Sequence, residues 1–244
     1  MCRHLLYLGE PARVSSLVLE PSHSLLRQSW APRLAGGHST VNADGFGIGW
    51  YGQDGPVRYR RSTPMWGDEN LPALANATVA TAILAAVRSA TPGMPVGDAA
   101  CAPFGSDGWL FSHNGFIAGW PDSIAKLAER LPITDLLTVD APTDSAFTWT
   151  MVRHLLRSGE QPDAALITTV AEIAAAAPAS RLNFLLTDGV RGYASCVGHS
   201  LFVRCLPGQV VIASEPFDDH PAWTSIPDNH LLTTEPSGYT LEEL

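Results

Sequence analysis

Lysine is almost missing from this chain: Lys126 is the only one in 244 residues, and arginine carries the rest of the positive charge. Lys and Arg together number 15 against 24 Asp and Glu, a net charge of -9. The one short basic run, Arg58, Arg60 and Arg61, alternates with Tyr59 like the face of a strand. A nucleic-acid binder needs a basic patch or stripe to displace counterions from phosphates, so no nucleic-acid partner is expected. Long apolar runs are lacking too. After Arg3 the chain offers only Leu5-Leu6-Tyr7-Leu8, too short for a signal-peptide core. No segment approaches the ~20 apolar residues of a membrane span, so the expectation is a cytoplasmic protein with no membrane partner. Cysteine is scarce: Cys2, Cys101, Cys196 and Cys205 are spaced neither as zinc ligands nor as a CxxC pair. Cys196 and Cys205 sit in apolar, strand-like runs and read as core residues. No metal site and no disulfide framework are expected in a chain of this length. What remains, 45% apolar and 16% charged residues without repeats, describes a globular protein able to bury a sizeable core.

The coarse order is strands early, helices in the middle and strands late. "CRHLLYLG" alternates poorly and reads as a short buried strand. "HSLLRQSW" reads as a short helix. "GFGIGWYG" and "VRYRRS" flank Asp54-Gly55, a hairpin signal. "TVATAILAAVRSA" is strand by its Val, Ile and Thr and helix by its alanine, and periodicity does not separate the two. "GWLFSHNG" is a strand running into a turn. Helices are expected over Pro121–Leu131, Asp144–Arg157 (capped by Thr143 or Asp144) and Asp163–Ala177. "LNFLLTDG", "GYASCVG", "LFVRC" and "QVVIAS" are strands between turn signals. Helices in separate blocks among short strands argue for α+β, with antiparallel sheets covered by helices. The expected organisation is a single domain over 2–244, with 216–244 a Pro-, Asp- and aromatic-rich irregular extension.

Cys2 stands directly behind the initiator methionine. Methionine is usually removed before a small residue, which would leave Cys2 with both a thiol and a free α-amine. The amine titrates near ~8 and the thiol near ~8.5, so one residue would hold a nucleophile and its base. Four further features accompany it. "NADGFGIGWY" (Asn42–Tyr51) lets the backbone turn and approach other groups closely. Arg88 is a charge ending an apolar run. Ser112-His113-Asn114-Gly115 sets an amide side chain beside a glycine N–H, two donors that can converge as an oxyanion hole requires. Asp144 opens "DSAF". Each has a plain alternative: a hairpin, an ion pair, a tight turn, a helix cap.

In this order, and together with "ASEPFDD" at Ala213–Asp219, the residues resemble the class II glutamine amidotransferases, the glutaminase branch of the N-terminal-nucleophile hydrolases. The resemblance covers most of the chain. It implies a four-layer αββα sandwich of two stacked antiparallel sheets. It also implies that Arg88 holds the α-carboxylate and Asp144 the α-ammonium of a glutamyl group. The starts "CRHLLYLG" and "NADGFGIGWY", the run "AAVRSATPG" and the tail "ASEPFDD-x-P-x-W" are most similar to the branch that acts in ergothioneine biosynthesis. Members of that branch remove glutamate from γ-glutamyl-hercynylcysteine sulfoxide.

The expected chemistry is then attack by the Cys2 thiol, an oxyanion held by Asn114 and Gly115, a thioester and its hydrolysis, with no metal or cofactor. The α-amine makes a histidine base redundant, so His113 is placed beside the substrate as a neighbour of the turn. Trp50, with Trp30, Tyr51, Trp66 and Trp223, is a candidate wall around a quaternary ammonium, which favours aromatic faces. The expected partner is a small γ-glutamyl molecule, and a homo-oligomer is left open. At 244 residues no length remains for a fused ammonia-consuming synthase, which favours a stand-alone hydrolase. The alternatives are a hydrolase for another γ-glutamyl amide, a glutaminase subunit serving a separate synthase, or a silent binding domain. The last would need one of these residues to be missing, and none is.

Overall fold

The computed structural model describes residues 2–34 and 41–244. Its thirteen strands are β1 (Arg3–Arg13), β2 (Phe46–Gly52), β3 (Gly55–Arg61), β4 (Val79–Val87), β5 (Phe104–Ser106), β6 (Trp109–Phe116), β7 (Arg181–Thr187), β8 (Gly192–Cys196), β9 (Phe202–Leu206), β10 (Gln209–Ala213), β11 (Trp223–Ser225), β12 (His230–Glu235) and β13 (Gly238–Glu243). They form a seven-stranded sheet, β11-β9-β10-β1-β4-β2-β3, and a six-stranded sheet, β13-β12-β8-β7-β6-β5. Every pairing is antiparallel. The helices are α1 (Ser15–Val18), α2 (Leu25–Gln28), α3 (Leu71–Ala77), α4 (Ala125–Ala128), α5 (Ile133–Leu137), α6 (Asp144–Arg157) and α7 (Pro162–Ala176).

Side chains alternate across a strand, and here that period sorts them into three cores. Leu6 and Leu8 of β1 and Leu84 of β4 meet Leu110 of β6, Leu185 of β7 and Leu232 of β12 between the sheets. Leu5, Tyr7, Ile83 and Ala85 point the other way, against Leu17, Leu25 and Leu71 of α1, α2 and α3. On the far side, Phe111, Phe184 and Leu186 pack under Phe147, Trp149, Leu166 and Val170 of α6 and α7. The result is the expected α+β sandwich in four layers, αββα. Fully burying each such Leu or Phe contributes about 1.5–3 kcal/mol.

β1 and β4 are interior strands covered on both faces, which is why their sequences run apolar with little alternation. This also decides "TVATAILAAV" as strand. Thr143 caps α6, its Oγ1 accepting the Ala146 N–H at 3.2 Å, which leaves the Asp144 carboxylate free for other contacts. The helix expected over Pro121–Leu131 is shorter: a 3₁₀ turn at Asp122–Ile124 and then α4. The tail is not irregular. β11 adds to the edge of the first sheet, and β12 and β13 extend the second. Its Pro and Asp content obscured the "HLLTTE" pattern, in which Leu231 and Leu232 serve opposite faces.

Candidate active site

Cys2 sits at the head of β1, in phase with Leu6 and Leu8, and is half-buried. Its thiol donates to the Ser89 carbonyl at 3.7 Å. Arg3 points to the opposite face and is 2% exposed. Its Nη1 donates to the carbonyl of Cys2 (2.9 Å), its Nη2 to that of Leu34 (3.1 Å), and its Nε lies 4.0 Å from Glu215 Oε2. Glu215 is 0% exposed and also accepts from the Leu34 N–H (2.8 Å), the Arg33 N–H (3.2 Å) and His23 Nε2 (2.7 Å). Burial pulls the Arg3 pKa below its ordinary value, and the Glu215 charge opposes that pull. A charge this deep is tolerated only when it is paired and hydrogen-bonded.

Ser214 works on the other face. Its Oγ accepts from the His4 N–H (3.0 Å) and from Asn114 Nδ2 (3.1 Å), and its own N–H donates to the His4 carbonyl (3.0 Å). One dipeptide, Ser214-Glu215, therefore sets the head of β1 and the Asn114 amide together. Both residues lie in "ASEPFDD", but the sequence alone assigns them no task, because their partners lie up to 210 positions away.

Arg88 follows β4 and is clasped by the glycine-rich stretch. Its N–H donates to the Gly45 carbonyl (2.8 Å), the Asp44 N–H donates to its carbonyl (3.0 Å), and Asp44 Oδ2 accepts the Ala90 N–H (2.8 Å). Gly45 has φ +126°, and a Cβ there would stand 2.3 Å from Cys101 Sγ, so only glycine fits. Arg88 Nη1 is buried with no partner among the described residues. A buried donor without an acceptor costs about 1–3 kcal/mol and marks where a ligand acceptor belongs.

Asn114 and Gly115 lie near the end of β6. A Cβ on Gly115 would fall 1.8 Å from the Arg181 carbonyl, so β6 and β7 keep their register there only with glycine. His113 Nε2 donates to the Arg181 carbonyl (2.8 Å), and its Nδ1 accepts from Ser145 Oγ (3.2 Å). Burial lowers its pKa, partly countered by the Asp144 charge, so the ring is neutral with both nitrogens engaged. Asp144 is 7% exposed; its Oδ2 accepts the Ile117 N–H (3.1 Å) and its Oδ1 the Ser145 N–H (2.7 Å).

A cavity of about 400 Å³ opens at Cys2, lined by Ser89, Thr91, Gly115, Phe116, Arg181 and His199 among others. It shares Thr91, Pro92 and Phe116 with a second cavity of about 560 Å³ that reaches Asp144. Cys2 is also a wall of a small chamber, about 30 Å³, bounded by Arg88, His113 and Ser145. Cys2, Arg88, His113, Gly115 and Asp144 thus line cavities that share residues, while Asn114 lines none of the three and is buried next to Gly115 in β6 with its amide on Ser214. Trp50 is not. Its strand parity with Phe46 and Ile48 turns it toward the outer core under α1–α3. Tyr51 donates to the Thr187 carbonyl (2.7 Å), Trp30 packs edge-on against Trp66, and Trp223 packs edge-on against Phe217 and under Arg204. The other aromatic residues that line these cavities are Phe104, Phe116 and Trp120, with Phe46 touching the small chamber at the start of β2. Residue type alone does not place an aromatic at the site: strand parity turns Trp50 away, and Trp30 and Trp66 belong to no strand and pack on each other. Among the described residues no group of three or more His, Cys, Asp or Glu could hold a metal ion.

A family model described as glutamine amidotransferases class-II matches residues 16–208. The chain belongs to this family. The class II amidotransferase is 42% identical over 235 residues to a protein named gamma-glutamyl-hercynylcysteine sulfoxide hydrolase from Mycolicibacterium smegmatis, covering 95% of both chains. It is 39% identical to the protein of the same name from Mycobacterium tuberculosis (strain CDC 1551 / Oshkosh), covering 100% of this chain and 97% of the other. Among solved structures, a glutamine aminotransferase class-II domain protein from Silicibacter pomeroyi superposes with a TM-score of 0.72 at 22% identity, over 99% of each chain, a likeness of fold. No helix among the described residues of this amidotransferase is long and apolar enough to cross a membrane.

Proposed function

We propose that this class II amidotransferase hydrolyses the γ-glutamyl amide of γ-glutamyl-hercynylcysteine sulfoxide, releasing glutamate and hercynylcysteine sulfoxide, with Cys2 as nucleophile. The observation that carries the chemistry is the half-buried Cys2, which lines both the cavity adjoining the space that reaches Asp144 and the small chamber lined by Arg88, whose Nη1 is buried without a partner among the described residues. The full-length relatives that bear the hydrolase name support the substrate.

The glutamyl group is an α-amino acid, with a carboxylate for the Arg88 fork and an ammonium for Asp144. Removal of Met1, which lies outside the described residues, gives Cys2 a free α-amine. That amine takes the thiol proton as sulfur bonds to the γ-carbonyl carbon. The carbonyl electron pair moves to oxygen and meets the Gly115 N–H and the Asn114 Nδ2–H that Ser214 does not use. Each such donor is worth about 3–4 kcal/mol in the transition state. Collapse breaks the C–N bond, and the α-ammonium returns its proton to the departing amine. Water then cleaves the thioester to glutamate and restores the thiol.

The test is glutamate release from γ-glutamyl-hercynylcysteine sulfoxide and from free glutamine at equal concentration, with intact mass to establish loss of Met1. Strong release from the sulfoxide, abolished in Cys2→Ala, is expected. Release from glutamine alone would move the function to ammonia supply. Turnover by Cys2→Ala at the wild-type rate would remove Cys2 from the mechanism.

A further inference from the structure

Two arms leave the Cys2 cavity. One shares Thr91, Pro92 and Phe116 and ends at Asp144. The other shares Arg181 and His199 and opens into a groove of about 720 Å³ that reaches Asp228. The proposed function, on which this inference rests, gives the first arm to the glutamyl group. The amine that leaves must then lie along the second, and Arg181 stands at its entrance.

The Arg181 guanidinium makes no ion pair and no side-chain hydrogen bond among the described residues; it lies 5.7 Å over the Phe116 ring. Among the described residues no carboxylate lines the Cys2 cavity, and the one carboxylate in the adjoining groove, Asp228, makes no ion pair with Arg181. Burial first, then the charges of Arg181 and Arg3, push the His199 pKa down to about 4, so it adds no competing cation at neutral pH. The backbone beneath Arg181 is held in place. Its carbonyl accepts from His113 Nε2 at 2.8 Å, and Phe116 is its cross-strand partner.

We propose that Arg181 binds the α-carboxylate of the leaving amine and so makes the enzyme select γ-glutamyl amino acids over simple γ-glutamyl amides. In such substrates one carbon separates the scissile nitrogen from a carboxylate. A guanidinium at the mouth of the second arm meets that carboxylate while Arg88 holds the glutamyl one. Glutamine, whose leaving group is ammonia, offers Arg181 nothing.

The experiment uses a matched pair, γ-glutamyl-glycine and γ-glutamyl-methylamide, which differ only in the carboxylate on the leaving amine. Wild type is expected to favour γ-glutamyl-glycine in kcat/KM. In Arg181→Gln the ratio of the two kcat/KM values falls roughly 30-fold, the scale of one charge-assisted pair, and Arg181→Lys recovers part of it. The ratio is independent of how much of the variant is folded. A ratio within about twofold of wild type in Arg181→Gln overturns the assignment, as does a wild type that shows no preference for γ-glutamyl-glycine. The sulfoxide assay stands apart. If wild type ignores the sulfoxide while Arg181→Gln still collapses the ratio, the proposed substrate fails and the role of Arg181 holds.

Discussion

Arg88 keeps one nitrogen, Nη1, buried without an acceptor among the described residues, so it costs the unliganded protein stability that a bound carboxylate would return. Function and folding therefore pull this residue in opposite directions. Arg88→Met retains the length of the stem and removes the orphaned donor. It is expected to lower kcat/KM for γ-glutamyl substrates by about 10²–10³, the loss of a bidentate charge-assisted pair. The melting temperature should stay level or rise. A fall in melting temperature together with unchanged kcat/KM would show that Arg88 serves the fold and not the ligand. His113 presents the opposite case. Its two ring nitrogens are spent on Arg181 and Ser145, so the ring ties β6 to β7 and α6 and has no lone pair left for a substrate proton. In the sequence it was legible only as a member of "SHNG"; its partners come from two other elements.

The elements meet at Ser214-Glu215, just past β10. Glu215 holds Arg3 of β1, His23 ahead of α2 and the 33–34 backbone through one buried carboxylate. Glu215→Ala leaves Arg3 charged, 2% exposed and short of its counter-ion. Removing one partner of such a pair is expected to destabilise by about 3–5 kcal/mol, read from urea denaturation, with activity of the remaining folded protein reduced because the carbonyl of Cys2 hangs on Arg3. A loss below about 1 kcal/mol would mean that the loop carbonyl and the carbonyl of Cys2 satisfy Arg3 unaided. Most elements were readable locally. The Asp54-Gly55 hairpin, the Thr143-capped α6 and the late strands each carry their signal within a dozen residues. β4 was not, because an interior strand buried on both faces loses the alternation that separates strand from helix. Nor was the strand content of the tail, where turn-forming residues mask three short pairings.

At the scale of the whole molecule, the sandwich buries histidines. His4 and His113 are 1% and 4% exposed, and burial is the leading cause that lowers both their pKa values; His199 is pushed down to about 4. In the unfolded chain each titrates near its ordinary 6.5. Below that pH the unfolded state binds protons that the native state refuses, so stability falls as pH falls. Thermal melts at constant ionic strength should change little above pH ~7 and drop progressively from pH ~6.5 toward ~5. A melting temperature that rises over that interval would show that these rings gain partners for their protonated forms on folding.

By itself the sequence determined the fold class and the ordered set Cys2, Asn42–Tyr51, Arg88, His113–Gly115, Asp144 and Ala213–Asp219. Apolar period, turn chemistry and linear motif are properties of neighbouring residues, and they survive in one dimension. Only the tertiary structure decided which side chains share space with Cys2. That choice rests on strand parity and on the stacking of the two sheets. One residue of phase turns Trp50 outward to the helices, and a cross-strand pairing sets Arg181 against Phe116 at the mouth of the cavity.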